Sequence, residues 1–237
     1  MHKHKKIELY GFDIQPVKEN FTACYMKQPI LKTVKGKIIK TNEKIFKILK
    51  PIAMKNWLFL YEQHNYKDAE NFWNNLQKAS KGYGILINAP EWVEMENYSN
   101  YYEDWTETVN YYLEKFKYQF VLFFLDRKDF LYKDLKKHSL SEKGYVSQVV
   151  KTFSIRKNIM SVCSKILIQL NNKLGGETYR VELSEIINKL NIMAVGVDSH
   201  VKGKRTGVAM TATINNDFTE MYNYEEIIEE ENKEQLQ

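Results

Sequence analysis

Phe120-Val121-Leu122-Phe123-Phe124-Leu125 sets six apolar side chains in a row. A strand with one wet face alternates apolar and polar residues, whereas a strand buried on both faces does not. The run is therefore expected inside a parallel sheet, covered by helices on both sides. Its neighbours supply the other parts. Upstream, Trp57-Leu58-Phe59-Leu60-Tyr61 is a second apolar run of strand length. Ala69, Phe72, Trp73, Leu76 and Ala79 then recur at helical spacing, with Gly82 where that helix would end. Gly84-Ile85-Leu86-Ile87 reads as a strand stopped by Pro90, and Trp105, Val109, Tyr112, Leu113 and Phe116 as the stripe of another helix. Downstream come a short helix from Tyr132 to about His138 and a strand from Tyr145 to Val150. A long helix from about Lys157 to Leu174 is closed by Gly175-Gly176. Strands alternating with helices in this way make an α/β fold with a parallel sheet. Such sheets bind ligands beyond the carboxyl ends of their strands, so chemistry is expected just after Leu125 and just after Val150.

The flanks differ. Residues 1–52 carry short apolar runs broken by Pro16, Pro29, Gly36 and Pro51, and read as irregular strands and loops. A second rhythm starts near Ile192. Ile192 to Asp198 is an apolar strand ending on a carboxylate, Gly207 to Ile214 is another, and Phe218 to Tyr222 is a candidate third. Tyr224 to Gln237 is rich in glutamate and reads as a helix beginning or as a solvated tail. A few strands of this kind would leave an open edge and an apolar face.

Composition narrows the classes. Hydrophobic residues make up 43%, enough for a real core, and 35 Lys+Arg against 30 Asp+Glu leave a net charge of +5. That mild excess permits a nucleic-acid partner without requiring one. Cys24 and Cys163 alone argue against a disulfide framework and against zinc. No apolar stretch approaches the ~20 residues that span a bilayer, and Met1-His2-Lys3-His4-Lys5-Lys6 lacks the apolar core of a signal peptide. The expected location is the cytoplasm or the nucleus, with no membrane partner.

Several residues have the chemistry of an anion site. Tyr132 and Lys136 share a helix face, four residues apart. A ring beside an ammonium suits a nucleotide end, the ring stacking on a base and the cation taking a phosphate. Lys165, Gln169 and Lys173 form a stripe on the long helix, opposite Ile159, Val162, Cys163, Ile166, Leu167 and Leu170. By themselves these are also what solvated faces of amphipathic helices look like. Gln148 lies in the small and apolar run Val146-Ser147-Gln148-Val149-Val150, where its amide needs partners. Asp198 could hold a divalent cation, but one carboxylate is not a metal site.

Taken in order, Tyr132-Lys133-Asp134-Leu135-Lys136-Lys137, Ser147-Gln148-Val149-Val150 and Lys165-Ile166-Leu167-Ile168-Gln169-Leu170-Asn171-Asn172-Lys173-Leu174-Gly175-Gly176 resemble the guide-end pocket of Argonaute proteins. Glu177 to Glu182, Val195-Gly196-Val197-Asp198-Ser199-His200, and Asn56 to Tyr61 with Asn65-Tyr66 look like the Piwi branch. The resemblance implies a layout of residues 1–52 as linker, 53–185 as a Rossmann-like MID domain, and 186–237 as the first strands of a ribonuclease-H-like PIWI domain.

It also implies roles. Tyr132 would stack on the first base of a small single-stranded guide RNA. Lys136 and Lys173 would bind its 5′ phosphate, and Gln148 and Gln169 would line the pocket. The loop with Arg127 and Lys128 would face the first base. In the Piwi branch a glutamine at the position of Gln169 goes with a bound divalent cation, so Mg²⁺ is expected there or at Asp198. Asp198 matches the first carboxylate of the family's cleavage site, whose other members lie further downstream than Gln237. The polypeptide as given is therefore expected to bind guides and not to cleave targets. Two other readings stand beside this one. They are a Mg²⁺-dependent endoribonuclease completed by another chain, cutting target RNA paired to the guide, and an α/β module that acts through protein contacts.

Overall fold

The computed structural model describes residues 30–32, 34, 38–39, 47–96, 102–126, 129–156, 158–183, 187 and 189–229. In chain order the elements are β1 (Leu31–Lys32), β2 (Ile38–Ile39), β3 (Trp57–Glu62), α1 (Tyr66–Tyr83), β4 (Glu91–Met95), α2 (Tyr102–Lys115) and β5 (Phe120–Leu125). They continue with α3 (Asp129–Lys137), β6 (Ser147–Lys151), α4 (Ile159–Lys173), β7 (Arg180–Val181), β8 (Val195–Lys202), β9 (Arg205–Thr213) and β10 (Met221–Glu229). A π-helical turn, His138–Glu142, extends α3, and a helical turn, Thr152–Ile155, follows β6.

The central sheet has the order β4-β3-β5-β6, and every pair is parallel. β3 and β5 are buried along their whole length. Side chains alternate across a strand, so each apolar run feeds two cores. Trp57, Phe59, Phe120, Leu122 and Phe124 pack with Phe72, Leu76, Leu167 and Leu170 of α1 and α4. Leu58, Leu60, Val121, Phe123 and Leu125 pack with Trp105, Val109, Leu131 and Leu135 of α2 and α3. Each such side chain contributes about 1.5–3 kcal/mol when buried, which is why a strand with no polar residue is stable here. Cys163 belongs to the first core, and burial pushes its thiol up to about 12.

α4 also anchors the segment before β3. Asn171 is fully buried; its Oδ1 accepts from Ile52 N at 2.8 Å and its Nδ2 donates to Lys50 O at 3.2 Å. Gly176 makes this possible, because a Cβ there would lie 2.3 Å from Asn171 Nδ2. The pair Gly175-Gly176 thus does more than end a helix. Lys50 and Glu177 bridge, and β1 pairs with both β2 and β7, so the chain entering the domain and the chain leaving it run side by side.

Several expectations are corrected. Gly84–Ile87 is not a sheet strand: it ends α1 with Gly84 in the left-handed region, φ 74°, and makes one bridge, Met54 to Ile87. The strand is Glu91–Met95, after Pro90, and it pairs with β3. An edge strand needs one buried face only, so its alternating Trp92-Val93-Glu94-Met95 gave a weaker apolar signal than the run before the proline. The third strand of the second sheet runs from Met221 to Glu229 rather than Phe218 to Tyr222, and residues 224–229 are strand, not helix or tail. Asn215 Oδ1 accepts from the backbone N of Thr219 and Glu220, which makes 214–220 a turn. β9 lies between β8 and β10, both antiparallel to it. Its outer strands are open, with Val195, Val197, Val201 and Ile227 exposed, which agrees with the expected uncovered face. Residues 230–237 lie outside the described residues.

Candidate functional site

β6 is an edge strand, and α3 and α4 flank it. Lys136, near the end of α3, donates from Nζ to Ser147 O at 3.0 Å and to Ser147 Oγ at 2.8 Å. Lys173, the last residue of α4, donates to the same Ser147 O at 2.8 Å and to Gln148 Oε1 at 2.8 Å. Gln148 Nε2 donates to Gln169 Oε1 at 3.2 Å and to Val149 O at 3.3 Å. Four of the residues singled out from sequence therefore meet at the start of β6. Ser139 Oγ, 2.8 Å from Ser147 Oγ, ties the π-helical turn to them.

Two ammonium groups converge here on neutral oxygens. Among the described residues, neither pairs with a carboxylate. Burial, then the charge of Lys173, pushes Lys136 down to about 8, and burial also lowers Lys173. Desolvation penalises the charged lysines, and each would be restored by an anion. A cavity of about 320 Å³ opens beside them, lined by Lys136, Ser139, Leu140, Tyr145, Ser147 and Lys173 among others. The arrangement can take a small, doubly charged anion through charge-assisted hydrogen bonds.

Tyr132, one turn before Lys136 on α3, is 40% exposed, and Lys151 Nζ lies 5.3 Å from its ring centre. α3 runs back along β6, so Tyr132 stands near Lys151 while Lys136 stands near Ser147. The group lies along the open edge of the sheet, not in the crevice after Leu125 where the carboxyl-end rule points.

The remaining expected residues fall elsewhere. Lys165 is exposed on α4. Arg127 and Lys128 lie outside the described residues. Asp198 is on β8, exposed, with Oδ1 accepting from Ser199 N at 2.9 Å. Its register partner is Ala209, beyond which lies Glu225. Among the described residues, the carboxylates and imidazoles that gather into a possible ion-binding group are Glu62, His64 and Asp126, not Asp198. One exposed carboxylate does not fit the several oxygens that Mg²⁺ requires. Sequence reasoning missed Ser139, Ser147 and Lys151. Ser147 had a signal, a hydroxyl beside Gln148 in a buried run; Ser139 and Lys151 had none.

A family model described as the Piwi domain matches residues 120–236. Piwi-like protein 1 of Danio rerio is 32% identical over 174 residues, 69% of this chain and 19% of that protein. The structure of Drosophila Piwi superposes with a TM-score of 0.75 at 19% identity, covering 86% of this chain and 30% of that one. Kluyveromyces polysporus Argonaute, solved with a guide RNA, superposes with a TM-score of 0.67 at 12% identity over 86% of this chain and 29% of its own. The chain spans about a fifth of the length of the curated relatives it matches. With a parallel α/β sheet followed by antiparallel strands, as in those structures, and with Piwi-like relatives along most of its length, the chain belongs to the Piwi branch of the Argonaute family.

Proposed function

We propose that this chain binds the 5′ phosphate of a small single-stranded guide RNA, as part of RNA silencing. The observation that carries the reading is the shared carbonyl: Lys136 and Lys173 both donate to Ser147 O, and among the described residues no carboxylate pairs with either. A phosphate supplies the missing charge. Lys136 and Lys173 bind its oxygens as point charges, Gln148 donates an amide N–H, and Gln169 holds the Gln148 amide. Tyr132 offers a ring for the first base. A relative of the same fold was solved with a guide RNA, which supports the class of ligand. In this reading residues 53–185 are the MID domain and 186–237 the start of the PIWI domain, and pairing of a target RNA to the guide belongs to a longer assembly. Mg²⁺ beside Gln169 would add positive charge once two phosphates are present. It has no part in the first contact, where the lysines already carry the charge.

Charge-assisted hydrogen bonds contribute roughly 1.5–3 kcal/mol each, so a 5′ phosphate is worth at least about tenfold in affinity. The test is binding of a short 5′-phosphorylated RNA against its 5′-hydroxyl twin, with and without Mg²⁺, for the wild type and Lys136→Ala. Preference for the phosphate, lost in Lys136→Ala, is expected. Equal binding of the two RNAs would overturn the reading.

A further inference from the structure

We infer that His138 is a positioning residue of the lysine pocket, and that protonating its imidazole loosens the pocket and weakens its hold on a 5′ phosphate. The inference rests on the reading of that pocket as a phosphate site. His138 opens the π-helical turn that joins α3 to the approach to β6. Its side chain is buried, at 2% exposure, and Nε2 has no hydrogen-bond partner among the described residues. A buried polar atom left unpaired is uncommon in a native structure and calls for a reason. Segments of π-helix inside α-helices often fall at functional sites.

The turn is tied to the pocket at several points. His138 Nδ1 lies 3.0 Å from the Tyr145 hydroxyl, and Tyr145 lines the cavity together with Lys136, Ser139, Ser147 and Lys173. The next residue, Ser139, is fully buried, with Oγ 3.1 Å from Lys136 O and 2.8 Å from Ser147 Oγ. Tyr145 N donates to Ser139 O and Lys143 N donates to His138 O, each at 3.0 Å. The ring of His138 is packed edge-on against Tyr145 and Tyr102, at centroid distances of 5.6 and 6.3 Å. A displacement of His138 therefore moves Tyr145 and Ser139, and through Ser139 the residue whose carbonyl both lysines share.

The neutral ring fits this place and the charged ring does not. Either neutral tautomer satisfies the Tyr145 contact and leaves Nε2 alone, as a lone pair or as an unused N–H. Protonation makes both nitrogens donors, and the second finds no acceptor. Among the described residues, the titratable and charged groups around the ring are Tyr102 from α2, Glu142 with its partner Lys137, Lys143, and Tyr145. Glu142, the one anion of this set, already accepts from the Tyr102 hydroxyl and pairs with Lys137. Burial, against the opposing pull of Glu142, holds the imidazole below its usual range. Acid therefore drives His138 out towards water or Glu142. That movement breaks the Tyr145 contact and draws Ser139 away from Ser147.

The test measures the preference of the full chain for 5′-phosphorylated over 5′-hydroxyl RNA at about pH 7.5 and about pH 5, for wild type and His138→Gln. A glutamine amide can hold the Tyr145 hydroxyl and cannot take up a proton in this range. The RNA phosphate itself titrates near pH 6, equally for both proteins, and each protein serves as its own reference. The preference is expected to fall at least about fivefold more in the wild type than in His138→Gln. In the RNA-free wild type, the Ser147 amide resonance is expected to move as the His138 ring titrates, which gives a second reading if the variant unfolds. An equal fall in both proteins, or a Ser147 amide that stays still while the ring titrates, would overturn the inference and leave the phosphate reading standing. No phosphate preference in the wild type at pH 7.5 would overturn both.

Discussion

Lys136 and Lys173 donate to one carbonyl oxygen, that of Ser147, at 3.0 and 2.8 Å. They come from different helices and are separated by a whole strand and helix in sequence. The free protein holds two like charges together on a neutral acceptor, an arrangement that an anion bound as proposed would relieve.

The first consequence is a pH dependence. Burial and the neighbouring charge bring Lys136 down to about 8, while an unfolded lysine titrates near 10.4. Between those values the unfolded chain binds more protons than the folded one, so stability rises with pH. Urea unfolding of the RNA-free protein from about pH 7.5 to pH 10 should show this rise, and Lys136→Met should show less of it. Affinity for 5′-phosphorylated RNA runs the other way and should fall as pH passes about 8. Identical stability profiles for wild type and Lys136→Met would contradict the assignment.

Lys136→Met should also separate stability from binding. The substitution keeps the apolar stem and removes one of two like charges. At neutral pH the melting temperature should hold or rise, because the remaining Lys173 no longer faces a second cation. Discrimination between 5′-phosphate and 5′-hydroxyl RNA should drop at least about tenfold, in line with the loss of a charge-assisted hydrogen bond. Calorimetry paired with a binding titration reads both.

Tyr132 and Lys151 give a graded series. The ring of Tyr132 is 40% exposed and has Lys151 near it. Tyr132→Phe keeps the ring and should leave RNA affinity within about threefold. Tyr132→Ala should cost about 1–3 kcal/mol, the worth of one base stacked on an aromatic ring. Lys151→Met removes a cation beside the ring and should weaken RNA binding by less than Tyr132→Ala. Filter binding with one 5′-phosphorylated RNA ranks the three.

Gly176→Ala tests the anchor. The added methyl would meet the Asn171 side chain, which is fully buried and bonded to Ile52 N and Lys50 O. Overpacking costs about 1–3 kcal/mol, and a displaced Asn171 adds the cost of unpaired backbone groups, about 1–3 kcal/mol. Thermal unfolding should report a loss in that combined range. The double variant with Asn171→Ala should lose less than the sum of the two singles, since both disrupt one contact. Full additivity would mean that the glycine and the asparagine act separately.

Much of this molecule was legible in its residues, for one reason. Strand and helix are local: Phe120 to Leu125 must be buried on both faces because no residue in it tolerates water, and the stripe from Ile159 to Leu170 must face a core. Those constraints act over a few residues and are written in order along the chain, so they determined the alternating elements, the parallel sheet and the family resemblance. They failed where burial is one-sided, as at Glu91–Met95, and where charged residues line an open sheet, as at Glu225 and Glu226 of β10. Only the tertiary structure decided which side chains meet. The lysines were visible as candidates on two separate helices, but that both reach Ser147 O depends on how α3 and α4 pack against the edge of β6. The gathering of Glu62, His64 and Asp126 depends likewise on β3 and β5 being parallel neighbours. Hydrogen bonds and charge pairs act over a few ångströms in space. Distance along the chain says nothing about them until the hydrophobic cores have set the elements in place.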